Sequence, residues 1–301
     1  MITPAIMFHH FYDEKHHPRG QGAINQEQFY DFLKKNTQFK ILSAEVWWEK
    51  YQKNNLLANE TCITFDDNLK CQFDVALPVL ETLNLKAFWF VYTSPLQGIL
   101  EKLEVYRYFR TVYFESIDDF YEVFFSFFEK TFGQASYQNI SFNDYLNEFT
   151  FYTYNDRKFR YIRDIILSPE EFYALMNLLL EQYHVKMDTW KDILWLSKNE
   201  ISYLSHTGHF IGLHSHTHPT KIEAMTAKEQ ESEYLTNYQI LKEITHNQIF
   251  SMSHPCNSYN EATLEVLKNL NIKIGFRSNN SKRHYLCHEL PRIDHTYLIK
   301  S

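Results

Sequence analysis

Glycine is scarce in this sequence, 7 in 301 residues, so each one that remains carries more conformational information than usual. Cysteine is scarcer still, at 4. Cys62, Cys71, Cys256 and Cys287 form no C-x-x-C pair, which argues against a disulfide framework and leaves reduced core or near-site thiols. No apolar run approaches the roughly 18 residues of a membrane-spanning helix; the longest is Ala87–Tyr92. Met1–His10 carries no basic region, no long apolar region and no small-residue cleavage site, so the expectation is mature, cytoplasmic sequence. Positive charge is in deficit as well: 30 Lys and Arg against 37 Asp and Glu leave a net −7, which speaks against nucleic acid as a partner. What the chain does have is apolar mass, 44% hydrophobic and 17% aromatic. At 301 residues it has room for one large domain or two ordinary ones, with no disulfide or metal needed to hold a core.

Read for periodicity, the first third alternates between strand and helix. Residues 5–11 form a short apolar run, 26–35 carry apolar residues at helical spacing, 39–42 read as a strand and 44–52 as a helix. Residues 61–65 are β-branched and aromatic and stop abruptly at Asp66-Asp67-Asn68. A helix over 73–83, kinked at Pro78, and a buried strand over 86–91 follow. The rhythm breaks at about residue 95. Up to 194 the chain is rich in Phe, Tyr, Asp and Glu with little strand character, and 117–128 and 170–183 fit amphipathic helices. Alternation returns with helices over 198–207, 228–245 and 261–270 and strands over 210–213, 248–252, 272–276 and near 290–294. The pattern predicts an α/β fold, a parallel sheet or barrel with helices outside, in two parts (1–94 and 195–301) around a mostly helical insertion (95–194).

In an α/β barrel, functional groups gather at the C-terminal ends of the strands. Three such ends are unusual here. Asp66 and Asp67 put adjacent carboxylates directly after an apolar strand, which suits a bound cation or a solvated turn that caps the next helix. Five of the 15 histidines lie between His206 and His218, and His214 and His218 have the spacing for two imidazoles to meet one divalent cation. The third end, Phe250 to Asn260, is a strand followed by a Pro/Asn turn that is ordinary in isolation.

Together, Thr64-Phe-Asp-Asp-Asn68, His214-Ser-His-Thr-His-Pro219 and His254-Pro-Cys-Asn257 resemble the motifs of the NodB-homology polysaccharide deacetylases, carbohydrate esterase family four. The flanks Ile6–His9, Gly22–Phe29, Glu200–His209 and Leu290–Asp294 are similar too, so the resemblance covers roughly 1–95 and 195–296. It implies a distorted (β/α)7 barrel and a metal-dependent deacetylase acting on an N-acetyl amino sugar in a glycan, glycolipid or sugar precursor. Carried over by position, Asp67, His214 and His218 are the implied ligands of a divalent cation of the Zn2+ type, and Asp66 the general base. The backbone N–H of Cys256 is expected at the oxyanion, and Cys256, Asn257 and His9 at the substrate. For the general acid, His295 comes first and His9 second.

The sequence also departs from the family pattern. Asn68 and Asn257 replace motif glycines, a mild change if those positions need left-handed backbone. Ser253 stands where many members place an arginine that orients the catalytic aspartate; Arg292, on the closing strand, is expected to reach Asp66 instead. His254 replaces an aromatic residue that would face the sugar. His216 is read as facing away from the ligands, and His16, His17, His284 and His288 as surface residues. The aromatic insertion fits a sugar-stacking lid or a helical subdomain with its own core. Two other functions remain compatible with the sequence: a deformylase or amidase on a small N-acyl compound, and a non-catalytic carbohydrate-binding protein.

Overall fold

The apolar runs between turn residues become nine strands in the computed structural model, which describes residues 2–133, 140–147, 152–281 and 286–299. They are β1 (Ala5–Phe8), β2 (Lys40–Ile41), β3 (Glu60–Thr61), β4 (Ile63–Phe65), β5 (Phe88–Val91), β6 (Phe210–Leu213), β7 (Ser251–Ser253), β8 (Ile274–Phe276) and β9 (Arg292–Asp294). Seven of them form one parallel sheet in the order β8-β7-β6-β5-β4-β1-β9. The segment leading into β9 also pairs with β8, through a parallel bridge between Phe276 and Leu290 and a 2.8 Å bond from the Leu290 N–H to the Gly275 carbonyl. One segment thus joins the two edges of the sheet, and the distorted (β/α)7 barrel expected from the resemblance is what forms.

The chain divides into two compact units, residues 1–101 with 190–301, and residues 102–189. The first is the barrel. Helices over Gln26–Lys35, Ala44–Gln52, Lys198–His206, Ala227–Thr245 and Glu261–Asn269 follow its strands. Several start where the sequence supplies a reciprocal cap, as at Asn25 with Gln28 and Thr226 with Glu229. Trp47, Phe88, Phe90 and Phe276 are buried together in its core. The second unit is helical and packs aromatic residues on one another. Phe124 lies 4.8 Å from Phe159 between ring centroids, Phe159 lies 6.1 Å from Phe172, and the buried Asp156 carboxylate accepts a hydrogen bond from Tyr121. No described helix is long and apolar enough to cross a membrane.

The details differ from the sequence pattern in four places. The strand read over 61–65 is split, because Thr61 pairs with Ile41 in a separate two-stranded sheet while Ile63 pairs with Ile6 in the barrel. The strand read over 39–42 therefore lies outside the barrel. The helix read over 73–83 is not uniform: a π-helical turn, Gln72–Ala76, runs directly into Leu77–Thr82, so Pro78 stands in the interior beside an irregular stretch of the ladder. His17 and His288 are buried rather than on the surface. Each ring has found a partner, Asp74 Oδ2 at 2.8 Å for His17 and the Ile272 carbonyl at 2.7 Å for His288. His284 lies outside the described residues.

Two predictions follow from this packing. A Cβ at Gly275 would stand 2.7 Å from the His288 carbonyl oxygen and 2.9 Å from Met252 Sδ. Gly275→Ala is expected to destabilise the protein by about 1–3 kcal/mol in urea unfolding, as overpacking does; an unchanged midpoint would mean that the closing segment yields freely. Glu60, buried on β3, accepts from Lys50 Nζ at 2.6 Å, from Leu57 N–H at 3.1 Å and from Lys40 Nζ at 3.0 Å. Lys50 above all holds its carboxyl down to about 2. A depressed carboxyl stabilises the fold above its unfolded value of about 4.3, and that contribution is lost as pH falls toward 2. Glu60→Gln should flatten stability against pH in that window and leave the slope above it alone.

Candidate active site

Parallel strands deliver their C-terminal ends to one rim. Asp66 and Asp67 follow β4, His214 follows β6, Ser253 ends β7 and Asp294 ends β9. Non-glycine residues with left-handed backbone cluster in the loops of this rim. They are Asp67 (φ 77°), Asn68 (58°), Ser215 (62°), His218 (56°), Cys256 (50°) and Asn257 (58°). Such residues cost roughly 1–3 kcal/mol each and persist where surrounding contacts enforce them. Asparagine bears that backbone most easily among side-chain-bearing residues, which accounts for Asn68 and Asn257 in place of glycine.

Asp67 is the meeting point. Its Oδ1 lies 3.2 Å from His214 Nε2 and 3.4 Å from His218 Nε2, and the donor atoms of the three residues all lie within 4.8 Å of one another. His214 Nδ1 donates to the Ser253 carbonyl at 2.9 Å, which leaves the lone pair of neutral His214 on Nε2, aimed at the Asp67 carboxylate. Two electron-rich atoms facing each other at that distance need a proton or a cation between them. Carboxylate and imidazole are the ligands that divalent transition-type metals accept, so the donor set fits such an ion.

Asp66 is held separately. Arg292 closes on it with Nη1 2.7 Å from Oδ1 and Nη2 2.6 Å from Oδ2, and both side chains are buried. Ser253 Oγ donates to Asp66 Oδ2 at 3.1 Å and accepts from Arg292 Nη2 at 2.6 Å. Burial raises the Asp66 carboxyl, but the Arg292 guanidinium and then His214 outweigh it and hold it below the ordinary value. Burial likewise opposes ionisation of Asp67, yet the neighbouring imidazoles of His214 and His218 hold its carboxyl far below the usual range. Burial pushes His218 down to about 4, so its ring is neutral and its lone pair available at neutral pH. Burial also lowers His214, but Asp66 and Asp67 overcome it and raise the imidazole.

The other candidates divide. His9 is at the site: its Nε2 lies 4.0 Å from Asp66 Oδ2 and 3.8 Å from Asp67 Oδ2, and its Nδ1 3.8 Å from Asp294 Oδ2. His295 is buried beside it in sequence but turned elsewhere, stacked on Phe8 at 5.0 Å with Nε2 3.0 Å from the Gly22 carbonyl. It makes no ion pair with Asp66 or Asp67. Cys256 presents an exposed side chain in the Pro255–Asn257 turn, and Asn257 Oδ1 accepts from the Ser278 N–H at 3.1 Å. His254 does not face a sugar: it is buried and its Nε2 donates to the His288 carbonyl at 2.8 Å. His216 faces away, with Nδ1 2.9 Å from Thr93 Oγ1.

Sequence reasoning missed the residues that hold the histidine loop. Buried Asn237 accepts from the His214 N–H at 3.0 Å and donates to the Val91 carbonyl at 2.9 Å. Glu233, one turn earlier, accepts from the N–H groups of His216 at 2.9 Å and Thr217 at 2.8 Å. Their i,i+4 spacing on one helix was the available signal, but Glu and Asn at that spacing also mark an ordinary solvated face. Tyr92 was missed as well; its ring packs 5.0 Å from His218, and its hydroxyl accepts from Trp195 Nε1.

Residues 164–275 match the family model for polysaccharide deacetylase, a stretch that includes the His214–His218 loop and β7 but not the aspartate pair. No curated protein matches the chain in sequence. Among solved structures, the Streptococcus pyogenes deacetylase PplD in complex with acetate is 17% identical, with a TM-score of 0.58 over 97% of this chain and 91% of that one. IcaB from Ammonifex degensii is 13% identical, with a TM-score of 0.56 over 96% and 90% of the two chains. The BpsB deacetylase domain from Bordetella bronchiseptica is 13% identical, with a TM-score of 0.55 over 97% and 95%. At these identities the structures show a shared fold.

Arg292→Met should test the buried pair directly. It strands the Asp66 carboxylate without its cation, and breaking a buried pair from one side typically costs about 3–5 kcal/mol. Ser253→Ala removes only one neutral partner and should cost about 1 kcal/mol. Urea unfolding of the two variants is expected to rank them in that order.

Proposed function

We propose that the chain is a polysaccharide deacetylase, a hydrolase of the amide bond in a sugar's N-acetyl group, which removes acetyl from an amino sugar in a glycan, glycolipid or sugar precursor, with a divalent cation, Zn2+ by choice of ligands, held by Asp67, His214 and His218. The observation that carries this reading is Asp67 Oδ1 facing two imidazole nitrogens beside a second carboxylate, Asp66, that is clamped by Arg292. This reading takes residues 1–94 and 195–301 as the deacetylase barrel and 95–194 as an insertion in it.

A divalent cation held by Asp67, His214 and His218 would supply Lewis-acid polarisation of the acetyl carbonyl and lower the pKa of a water beside it. The protein's own groups do the rest. Asp66, beside the ligand set, is the group assigned to take a proton from the attacking water as general base. Arg292 and Ser253 occupy both its oxygens from the barrel side, so the carboxylate is fixed in orientation and kept ionised. His9, between the aspartate pair and Asp294, is placed to give a proton to the departing amine, and we assign it the general-acid role in preference to His295, whose Nε2 is spent on Gly22. The backbone N–H of Cys256 is the proposed oxyanion donor from the third turn. The intact Asp66–Arg292 fork favours catalysis over the non-catalytic reading, because carbohydrate binding alone has no use for an oriented buried base.

Purified protein is expected to carry close to one divalent metal per chain by elemental analysis and to release acetate from N-acetylated chito-oligosaccharide, with release stopping on chelation. His214→Ala should lose the metal. Asp66→Asn should keep the metal and lose roughly 10²–10⁴-fold in turnover, the usual contribution of a general base; full activity in that variant would overturn the assignment. His9→Gln should fall further in turnover than His295→Gln, and the reverse order would return the acid role to His295.

A further inference from the structure

The helical unit, residues 102–189, is acidic: four lysines and five arginines stand against 14 Asp and Glu, a net −5. Its arginines are nevertheless gathered on two short stretches. Arg107 and Arg110 lie on the Lys102–Val112 helix, Arg157 and Arg160 on the Tyr154–Tyr161 helix, and Arg163 in the π-helical turn Ile162–Ile166 that continues it. Three of the guanidiniums are seated on aromatic rings. Arg110 Cζ lies 5.4 Å and Arg163 Cζ 6.0 Å from the centroid of Phe159, and Arg160 Cζ lies 4.1 Å from that of Tyr152. A guanidinium on a ring gains attraction without spending its N–H groups.

The five arginines are not equally satisfied. Arg107 is held by both oxygens of Glu104 and Arg163 by both oxygens of Asp164. Arg157 Nη1 donates to the Asn143 carbonyl at 2.6 Å. Asp156, on the same helix as Arg160, is spent on Tyr121 and on the N–H and hydroxyl of Thr153. Among the described residues no carboxylate pairs with Arg110 or Arg160, and neither side chain donates a hydrogen bond. Both are half-buried, not buried, and only the Nε of Arg160 is closed off, so the other N–H groups of the two guanidiniums open on solvent. Burial, and then the charges of Arg160, Arg163 and Arg107, bring the Arg110 pKa down to about 10, which leaves it charged at neutral pH. Like charges gathered in this way repel one another, and a bound anion relieves that repulsion.

We propose that Arg110, Arg160 and Arg163 form a binding site for a phosphate group on the helical unit, carried either by a soluble phosphate or by a phospholipid headgroup. The inference is independent of the deacetylase reading. Planar guanidiniums match phosphate oxygens through paired N–H donors, and a phosphate monoester brings close to two negative charges and three acceptor oxygens. A single carboxylate would meet less of the gathered charge. Bulk electrostatics works against phosphate on so acidic a unit, so saturable binding reports the local cluster and not the net charge.

The test uses the full chain and two probes. Inorganic phosphate is titrated by calorimetry, and sedimentation is followed with phosphatidylcholine vesicles that contain or lack phosphatidic acid. Wild type should bind phosphate saturably, and Arg110→Gln with Arg160→Gln should weaken that binding about tenfold or more, the equivalent of one lost charge-assisted bond. Lys130→Gln with Lys186→Gln makes the same change of charge at exposed lysines of the same unit and should bind as wild type does. Phosphate held elsewhere on the chain is untouched by either pair, so the difference between the pairs is the readout. Where the arginine pair does not fold, Arg110→Gln alone carries the comparison. Sedimentation that needs both phosphatidic acid and the two arginines makes the headgroup the source; phosphate binding without sedimentation makes the source soluble. No saturable phosphate binding together with no sedimentation that depends on phosphatidic acid would overturn the proposal. Equal losses in the arginine and lysine variants, or wild-type affinity in the arginine variant, would overturn it as well.

Discussion

Arg292 enters from β9 and closes on Asp66 at the end of β4, and the same guanidinium bonds Ser253 at the end of β7 and the carbonyl of Arg277 after β8. Four strand ends are therefore pinned by one planar, permanently charged group. Charge-assisted bidentate contacts are short and geometrically exacting. A buried pair of this kind gives little net stability compared with an apolar replacement, yet it is costly to break from one side. Its value lies in specification. The barrel can close only in a register that brings Arg292 beside Ala5 and hence within reach of Asp66. The same register fixes which way the Asp66 carboxylate faces.

The metal-type cluster depends on this anchor at one remove. His214 gives its Nδ1 proton to the carbonyl of Ser253, the residue whose hydroxyl serves the Asp66–Arg292 pair. The tautomer of the proposed ligand and the orientation of the proposed base are thus set by two ends of a single serine. The histidine loop itself runs through left-handed backbone at Ser215 and His218, a shape with little intrinsic stability. Asn237 and Glu233 supply the compensating bonds from the Ala227–Thr245 helix, meeting the N–H groups of His214, His216 and Thr217. Local strain at the site is balanced by a rigid element behind it.

Much of this was legible in the sequence, and the reasons are local. The helices over 26–35 and 44–52 and the strand over 210–213 appear with the bounds that periodicity suggests. Reciprocal caps such as Asn25 with Gln28 announce a helix start without tertiary help. The aspartate pair and the histidine loop were readable because each follows an apolar strand, and parallel strands must end at one rim. The split between β3 and β4 was not readable, since residues 61–65 are apolar or β-branched on both sides of the break and only the partner strands differ. The burial of His17 and His288 was equally hidden, because each depends on one distant acceptor, Asp74 and the Ile272 carbonyl. The contrast between His9 and His295 has the same origin. Both flank strand ends, and only the Gly22 carbonyl and the Phe8 ring decide that His295 turns away.

Two departures from the family pattern turn out to be physically linked. Where many members place an arginine at the position of Ser253, this chain supplies the guanidinium from Arg292 on the opposite side of Asp66. An arginine from that side is useful only if the segment carrying it is held against β8. His254, which replaces an aromatic residue in the third motif, helps to do this: its Nε2 donates to the carbonyl of His288, and its ring stacks on Tyr259 at 4.1 Å. Tyr259 in turn donates its hydroxyl proton to Glu289 Oε1 at 2.6 Å. Two residues of the third motif region therefore grip the 288–289 stretch just before Leu290 pairs with β8 and Arg292 enters β9. A phenylalanine at 254 could stack but could not bond that carbonyl. Taken singly, the serine at 253 and the histidine at 254 look like erosion of a catalytic motif. Taken together they supply the guanidinium that orients Asp66 from another strand and fix that strand in place, so the Asp66 carboxylate stays oriented although the motif is altered.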